Sequence, residues 1–387
     1  MHAMEPKVSV IIPVYNCEKY LNETLRRLTG QSLQEIEILC VNDGSTDGSL
    51  GILNDWARKD DRIVVVDQPN SGAGAARNHG LRRARGEYLS ILDSDDLYEP
   101  DMLAHAYECA SKHAADMVVY GADFYYEDKN AFDSVPWLDL KRLPEQNPFS
   151  VHDVAGNPFR STNGWTWDKL FKRSFIQENG IVFQEQRTYN DMVFTFLSFC
   201  CASRIATLHE VLIHQRKNHK TSLSQTGDKS WWCVRDALAG LKSGLESKGV
   251  FDALRRHFDN YVLHMVRFNA TSINRTQAFL QLYPVMKDEW VREFGLDAKP
   301  LDYFDIPDDA CWLDRVRSED LCEFLLAECV DGETRIANMR KEIINLRKTA
   351  SSSEKKLKKI QGSRDYKLGK SILRIPRKVV HAFRGNS

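Results

Sequence analysis

The chain has 387 residues, of which 42% are hydrophobic and 28% are charged, and its formal net charge is −1 at pH 7. The length exceeds what one hydrophobic core of ordinary size accommodates, so we expect a main domain with one or two accessory segments. This balanced composition is typical of a globular protein and excludes a role in which the whole molecule binds nucleic acid or another polyanion.

The apolar segments are too short to cross a membrane. The longest of them, residues 8–14 and 193–202, fall well below the roughly 18 to 20 residues that a membrane-spanning helix requires. The N-terminus leads directly into a β-branched segment and shows no secretory signal pattern, so we expect a cytoplasmic protein. The nine cysteines show no metal-ligand spacing and are expected to be buried, reduced thiols.

Short apolar runs alternate with helical periodicity over the first 120 residues or so. The runs predict strands at residues 8–12, 36–41, 63–66, 88–92 and 117–120. Apolar residues spaced three or four apart predict helices between them, at residues 20–28, 50–58, 74–85 and 100–113. Strands that alternate with helices indicate an α/β fold with a mostly parallel sheet.

The rest of the chain is predicted to be mainly helical. Helical spacing at residues 231–245 and 254–268 indicates an accessory region, which we place at residues 226–330 after a main domain at 1–225. Residues 331–362 follow an imperfect heptad register, which predicts a short coiled coil and, through it, a homo-oligomer. The basic residues 363–387 predict binding to an anionic membrane surface, a merely solvated tail being the alternative.

Polar residues follow three of the predicted strands. They are Pro13-Val14-Tyr15-Asn16 after the first strand, residues 42–47 after the second and Asp93-Ser94-Asp95-Asp96 after the fourth. Ligands of parallel sheets bind at the carboxyl ends of the strands, so these loops should meet at one edge. Asp93 and Asp95 are oxygen ligands that suit Mn²⁺ or Mg²⁺ bound to a diphosphate, although acidic turns without a metal are common.

Two further segments fit a nucleotide site. Asp43 ends a strand and could accept a hydrogen bond from a base or a ribose, although a strand-to-helix turn in which Ser45 or Asp47 caps the next helix has the same pattern. Residues 70–80 form a loop of small side chains, which permits close approach of a ligand. Arg77 in this loop could neutralise a phosphate or pair with an acidic loop. The glycines lack the spacing of a dinucleotide-binding fingerprint, which excludes a Rossmann dehydrogenase.

In order and spacing, residues 8–16, 41–47, 70–80 and 92–96 closely resemble family 2 of the glycosyltransferases. The resemblance covers about residues 7–225 and implies a GT-A fold, a nucleoside diphosphate sugar as donor, a divalent metal ion and inversion at the anomeric carbon. It implies that Asp95 binds the metal directly and that Asp93 contacts the sugar or ribose. The residues that it assigns to the nucleotide-sugar site are Pro13, Tyr15, Asp43, Asn70, Arg77, Asp93 and Ser94.

An inverting transfer requires a base that takes the proton of the acceptor hydroxyl group. In the resembled family this base is an acidic residue before an apolar helix, commonly the second residue of a Glu-Asp pair. The matching segment is Asn190-Asp191, so Asp191 is the predicted base, with helix capping as the alternative. Asn190 departs from the family pattern because an amide cannot replace a carboxylate.

Two other segments match the family less specifically. Trp165 and Trp167 precede the predicted base, and their rings could stack on a sugar or belong to the core. His214, Arg216 and His219 follow a strand predicted at residues 211–213. Related enzymes bring a side chain from this position to the metal or diphosphate, so His214 is a candidate metal ligand and a structural histidine is the alternative.

The sequence therefore predicts an enzyme that transfers a sugar, with UDP as the preferred nucleotide, to a glycan or lipid-linked glycan acceptor. We expect it to serve polysaccharide or surface glycan synthesis as a peripheral protein at the inner face of the cell membrane. The alternatives are a catalytically inactive glycan-binding or assembly scaffold with the same fold, and an assembly factor that acts through the coiled coil. The four aspartates of the site favour the enzyme; they are Asp43, Asp93, Asp95 and Asp191.

Overall fold

The computed structural model describes residues 5–135, 138–217, 229–273, 275–329 and 355–356. The chain divides into two compact units, residues 1–317 and 318–387. In the second unit, residues 321–329 are helical. The predicted coiled coil and basic tail lie outside the described residues except for Lys355 and Lys356, and the predicted boundary at residue 225 lies in the gap at 218–228.

A mixed sheet organises the first unit. In the described part of the chain it has nine strands, in the order β3-β2-β1-β4-β8-β6-β9-β5, with β7 paired to β6. The strands are β1 Val8–Val14, β2 Ile36–Asp43, β3 Ile63–Gln68, β4 Tyr88–Ile91, β5 Leu97–Tyr98, β6 Met117–Tyr126, β7 Ala131–Ser134, β8 Lys169–Lys172 and β9 Ile205–Lys217.

The first four strands form the parallel half of the sheet. Strand β1 pairs in parallel with β2 and β4, and β2 pairs in parallel with β3. Strands β1 and β2 are buried along nearly their whole length, as expected where helices flank both faces. The predicted α/β fold with a mostly parallel sheet is confirmed, and β2 extends two residues beyond the prediction so that Asp43 is its last residue.

The second half of the sheet contains antiparallel as well as parallel pairs of strands. Strand β8 pairs antiparallel with β4 and β6, whereas β9 is parallel to β6 and antiparallel to β5. The β5–β9 pairing places Leu97 opposite His214, directly after the acidic loop. Strands β5, β7 and β8 were not predicted because each contains only two apolar residues, which are too few to carry a periodic signal.

Helices flank the sheet and continue after it. They are α1 Glu18–Thr29, α2 Ser49–Ala57, α3 Ala73–Arg83, α4 Met102–His113, α5 Pro158–Ser161, α6 Arg173–Glu178, α7 Met192–Cys201, α8 Cys233–Ser247, α9 Phe251–Ser272, α10 Thr276–Val285, α11 Val291–Glu293 and α12 Pro307–Ser318. The buried residues of α1 are spaced three or four apart, as in an amphipathic helix; they are Tyr20, Leu21, Thr24, Leu25 and Leu28.

The helical region packs on the end of the main domain. Helix α8 contacts α7 on one side and α9 on the other. Helix α7 is buried from Met192 to Cys200, and it packs against α8 and, through Phe194, against Phe171 of β8. None of the described helices is long and apolar enough to span a membrane.

Candidate active site

The loops that follow β1 and β2 are joined by hydrogen bonds. The Asn16 side-chain oxygen accepts from the Thr46 backbone N–H at 2.8 Å, and the Glu18 carboxylate accepts from the Gly48 N–H at 2.6 Å. Tyr15, which precedes Asn16, is 52% exposed, so its ring is open to a planar ligand. Pro13 next to it is half-buried.

Asp43 fixes the loop that leads into α3. Its side chain is buried, and its oxygens accept from the Gln68 amide and from the backbone N–H groups of Ser71 and Gly72, each at 2.8 Å. The Asn70 amide donates to the Asp43 carbonyl at 3.0 Å. A carboxylate accepts about four hydrogen bonds, so one direction remains for a ligand donor.

Helix α2 receives its side-chain acceptor from Asp47, because Asp47 Oδ1 accepts from the Ser49 N–H at 3.0 Å. This contact is the one expected for the alternative of a strand-to-helix turn capped by Asp47, and that turn is present together with the hydrogen bonds that Asp43 accepts from the loop before α3. Gly44, which follows Asp43, has φ 68°, and a Cβ at this position would come within 2.7 Å of the Asn70 backbone nitrogen. Glycine is required at this position for both reasons.

The acidic loop Asp93-Ser94-Asp95-Asp96 is held from below through its backbone. The Ser94 carbonyl accepts from the Thr24 hydroxyl at 2.9 Å and from the Cys17 thiol at 3.2 Å. The Tyr98 hydroxyl donates to the Asp93 carbonyl. These contacts use backbone carbonyl oxygens. They leave the side-chain carboxylates of Asp93 and Asp95, which are half-buried, to interact with other groups.

Arg216 of β9 anchors the same loop from the other side. Its backbone N–H donates to Asp96 Oδ1 and its Nε donates to the Asp95 carbonyl, both at 2.9 Å. Its two terminal nitrogens lie 3.1 Å from Glu127 and 2.9 Å from Glu23. The sequence pointed to Arg216 only by its place after a strand, and no spacing in the sequence links it to Asp95 or Asp96.

Negative charge accumulates at this loop. Burial raises the pKa of Asp96 well above its ordinary value, and the charges of Asp95 and Asp93 add to the effect. Asp96 Oδ2 is buried and has no hydrogen-bond partner among the described residues. Burial also raises the pKa of Asp93, where Arg77 acts in the opposite direction.

This donor set fits a Mn²⁺ or Mg²⁺ ion that is shared with a diphosphate. Such ions are commonly held by one or two carboxylates together with water and substrate phosphates. The described residues contain no group of three or more His, Cys, Asp or Glu side chains arranged to hold a metal. The fit therefore depends on Asp93 and Asp95 together with ligand oxygens.

His214 lies beneath this loop with both ring nitrogens hydrogen-bonded. Its Nδ1 is 2.6 Å from Asp123 Oδ1 and its Nε2 is 2.7 Å from Glu99 Oε1. The edge of the Phe132 ring packs against it, with centroids 4.7 Å apart. Metal binding by His214, which stays a prediction, would require it to release one of the two carboxylates. His219 lies outside the described residues.

Arg77 of α3 connects the acidic loop with the segment before Asp191. Its side chain is buried at 7% exposure, its Nη2 lies 2.7 Å from Asp93 Oδ1, and its Nη1 donates to Asn190 Oδ1 at 2.6 Å. One guanidinium thus sets the separation of two segments that are distant in the sequence. Asn190 supplies a neutral acceptor at the position where the resembled family commonly has Glu.

Asp191 precedes α7 as its N-cap residue, and it contacts the first turn through its backbone carbonyl and not through its carboxylate. Its carbonyl accepts from the Thr195 N–H at 2.9 Å, and its carboxylate makes no capping hydrogen bond. Burial raises the pKa of Asp191, Arg77 and Lys169 lower it, and Asp93 raises it. The carboxylate is therefore within electrostatic reach of Arg77 and Asp93, and a raised pKa suits a general base.

Helix α8 supports the segment that carries Asp191. The Gln184 amide donates to the Asp236 carbonyl at 3.1 Å, and the Gln186 amide donates to the Cys233 carbonyl at 3.0 Å. Two residues before Asp191, Tyr189 adopts a left-handed backbone with φ 57°. The sequence did not predict this role of the helical region.

The tryptophan segment has one core ring and one partly buried ring. Trp165 and Trp167 stack with centroids 4.6 Å apart, and Trp167 is buried in the core. The side chain of Lys169 is fully buried and lies 2.6 Å from Asp168 Oδ1, and it donates to the Trp165 carbonyl at 2.9 Å. Burial lowers the pKa of Lys169, and the charges of Asp168 and Asp191 raise it, so Asp191 lies within electrostatic reach of this ion pair.

Comparisons with known proteins identify the family of the chain. The sequence model described as Glycosyl transferase family 2 matches residues 9–202. The putative glycosyltransferase EpsH of Bacillus subtilis is 31% identical over 264 residues, which are 67% of this chain and 74% of the relative. The poly(ribitol-phosphate) beta-glucosyltransferase of Bacillus spizizenii is 29% identical over 272 residues, which are 65% of this chain and 40% of the relative.

A similar fold occurs among solved structures. The crystal structure of residues 1–349 of Staphylococcus aureus TarS in complex with UDP-GlcNAc superimposes with a TM-score of 0.60 at 22% sequence identity. The superposition covers 82% of this chain and 89% of the TarS chain. At this identity the likeness is one of fold.

Proposed function

The chain belongs to family 2 of the glycosyltransferases, and we propose that it transfers a sugar from a nucleoside diphosphate sugar to a hydroxyl group of a glycan or glycolipid acceptor, with inversion at the anomeric carbon. The observation that carries this proposal is the bridge made by Arg77. It joins the Asp93 loop to the Asn190-Asp191 segment at one edge of the sheet. In this proposal the bridge would bring the donor site and the base side by side.

The donor would lie across the loops that follow β1, β2 and β4. The Asp43 carboxylate would accept a fourth hydrogen bond, from the imide N–H of a uracil ring. The exposed ring of Tyr15 would offer a stacking surface. Pro13, Asn70 and Ser94 would complete the nucleotide-sugar site. We therefore propose UDP as the nucleotide, which is also the nucleotide named for the TarS structure.

Asp95 and Asp93 would hold the Mn²⁺ or Mg²⁺ ion in this scheme. When bound, such an ion stabilises negative charge on a departing diphosphate. Arg77 holds the carboxylate of Asp93 and Arg216 holds the backbone of Asp95, so both residues would be positioned before the donor binds. Preorganisation of this kind lowers the reorganisation that the reaction requires.

Asp191 would act as the base. Its carboxylate accepts the proton of the acceptor hydroxyl group while that oxygen attacks the anomeric carbon from the face opposite the diphosphate. The new C–O bond forms as the bond to the diphosphate breaks, and the diphosphate leaves with the electron pair. Asn190 and Arg77 would position Asp191 without taking part in the proton transfer.

The acceptor class and the cellular place are further parts of the proposal. A relative named as a poly(ribitol-phosphate) glucosyltransferase supports a role in bacterial surface polymer synthesis. The basic residues 363–387 would bring the enzyme to the inner face of the membrane, and residues 331–362 would form an oligomer. Sedimentation with anionic vesicles, before and after deletion of residues 363–387, tests membrane binding. The mass in solution of a variant substituted at Ile343 and Leu346 tests the oligomer.

Thermal unfolding in the presence of nucleotides tests the donor proposal. UDP, GDP, dTDP and CMP would each be added with and without Mn²⁺ to the wild-type protein and to Asp95→Ala. We expect metal-dependent stabilisation by UDP, about 2.7 kcal/mol at 100 times the dissociation constant, and its loss in Asp95→Ala. An inactive scaffold with the same fold, which the missing Glu at position 190 would favour, predicts no response to any nucleotide.

A further inference from the structure

A polar cavity of about 190 Å³ lies in the helical region. It is formed by the second half of α8, the first half of α9, and α11 with the turn that follows it, and it shares no residue with the candidate active site. Its charged lining consists of four cationic and two anionic side chains, which are Lys242, Arg255, Arg292, Lys299, Asp259 and Glu293. The lining therefore carries an excess of positive charge.

Both carboxylates of the cavity are already satisfied. The two oxygens of Glu293 accept from Arg235, which does not line the cavity, at 2.6 and 2.8 Å. Asp259 Oδ2 accepts from the Tyr303 hydroxyl at 2.8 Å and lies 3.3 Å from the Lys299 ammonium group. The negative charges of the lining are thus neutralised, and only part of the positive charge is used to do so.

The remaining cations have weak partners or none. Lys242 and Arg292 have no ion-pair partner in the part of the chain that the structure describes. Arg255 pairs with Asp252, but that carboxylate is 90% exposed, so solvent screens the pair strongly. The Phe251 ring holds two of these cations, because Arg255 lies 4.6 Å and Lys242 5.8 Å from its centroid.

We propose that this cavity binds a phosphate group, in a soluble ligand or in a lipid headgroup. Guanidinium groups match the oxygens of a phosphate in pairs, and an ammonium group adds a third donor of positive charge. The Phe251 ring positions Arg255 and Lys242 before the ligand arrives, which reduces the loss of side-chain freedom on binding. The inference extends beyond the proposed sugar transfer and does not depend on it.

Calorimetric titration of the full chain with inorganic phosphate tests the inference. The buffer contains EDTA, so that no metal-bound phosphate contributes at the acidic loop, and chloride keeps the ionic strength constant. We expect saturable binding by the wild-type protein that is weakened about tenfold or more by Lys242→Gln and by Arg292→Gln. Lys248→Gln is the matched control, since Lys248 is exposed at the end of the same helix and does not line the cavity.

Vesicles distinguish the two sources of phosphate. The same variants would be sedimented with vesicles of phosphatidylglycerol and, separately, of phosphatidylcholine. Loss of phosphatidylglycerol binding in Lys242→Gln and Arg292→Gln assigns the site to a lipid headgroup, whereas loss of binding to inorganic phosphate alone assigns it to a soluble ligand. Absence of saturable phosphate binding, or binding that both variants leave unchanged, would overturn the inference and would leave the nucleotide response untouched.

Discussion

The guanidinium group of Arg77 lies 2.7 Å from the carboxylate of Asp93, where the Arg77 side chain is buried and the Asp93 side chain is half-buried. The second terminal nitrogen of Arg77 binds an amide oxygen, that of Asn190, instead of a second carboxylate. Arg77 therefore has one anionic partner in direct contact. Its remaining charge acts on Asp191, whose pKa it lowers against the effect of burial.

Replacement of Arg77 by Lys should impair transfer even though the charge is kept. An ammonium group cannot donate in parallel to Asp93 and Asn190 in the geometry of the guanidinium group. Loss of a charged hydrogen bond contributes about 1.5–3 kcal/mol, so kcat/KM should fall by about 10- to 100-fold. Thermal unfolding serves as the control for folding, and a variant that folds with wild-type kcat/KM contradicts the bridge.

The pH dependence of transfer should report the raised pKa of Asp191. A base must be ionised, so kcat/KM should decline as pH falls through a value above the ordinary 3.9 or so of Asp. In Asn190→Asp a new negative charge faces Arg77 and stands beside Asp191, which favours the protonated form of the base. The acidic limb of the profile should therefore move to higher pH in this variant. An unchanged or downward-shifted limb would speak against Asp191 as the titrating group.

The helical region should influence turnover more than nucleotide binding. Gln186→Ala removes the hydrogen bond to the Cys233 carbonyl that holds the base segment on α8. A hydrogen bond of this kind contributes about 0.5–1.5 kcal/mol, so kcat should fall by about two- to tenfold while affinity for UDP stays the same. Gln281→Ala, at an exposed position of α10, is the matched control. Equal turnover of the two variants would show that α8 does not position the base.

Removal of one charge of the buried Asp168–Lys169 pair should destabilise the protein more than removal of both charges. Lys169→Met leaves a buried carboxylate without its cation, which should lower the free energy of unfolding by about 3–5 kcal/mol. The double variant Asp168→Asn/Lys169→Met removes both charges and should recover most of that loss. Urea denaturation of the three proteins measures this, and a double variant no more stable than Lys169→Met refutes the explanation.

The core of the fold was predictable because its strands carry a strong local signal. Strands β1 and β2 are buried and mostly apolar, Asp43 is the last residue of β2, and Asp93 comes shortly after the buried strand β4. Parallel pairing then places these ends at one edge without further information. Short strands such as β5 escaped prediction because their position is set by pairing with β9, a contact distant in the sequence.

The supporting contacts of the site were less predictable for the same reason. Arg216 reaches Asp95 and Asp96 from a strand about 120 residues later, and no periodicity in the sequence records that contact. The hydrogen bonds from Gln184 and Gln186 to α8 depend equally on tertiary packing. Sequence motifs identify residues that touch a ligand more readily than residues that hold those residues in place.

Transfer by Asp191→Asn tests the central claim most directly. The wild-type protein and the variant would be incubated with labelled UDP-sugars and detergent-solubilised lipid-linked glycan, and UDP binding with Mn²⁺ would be measured in parallel. Loss of a general base lowers a rate by about 10²- to 10⁴-fold, so we expect that loss in transfer together with unchanged UDP affinity. Wild-type transfer by Asp191→Asn would contradict the account.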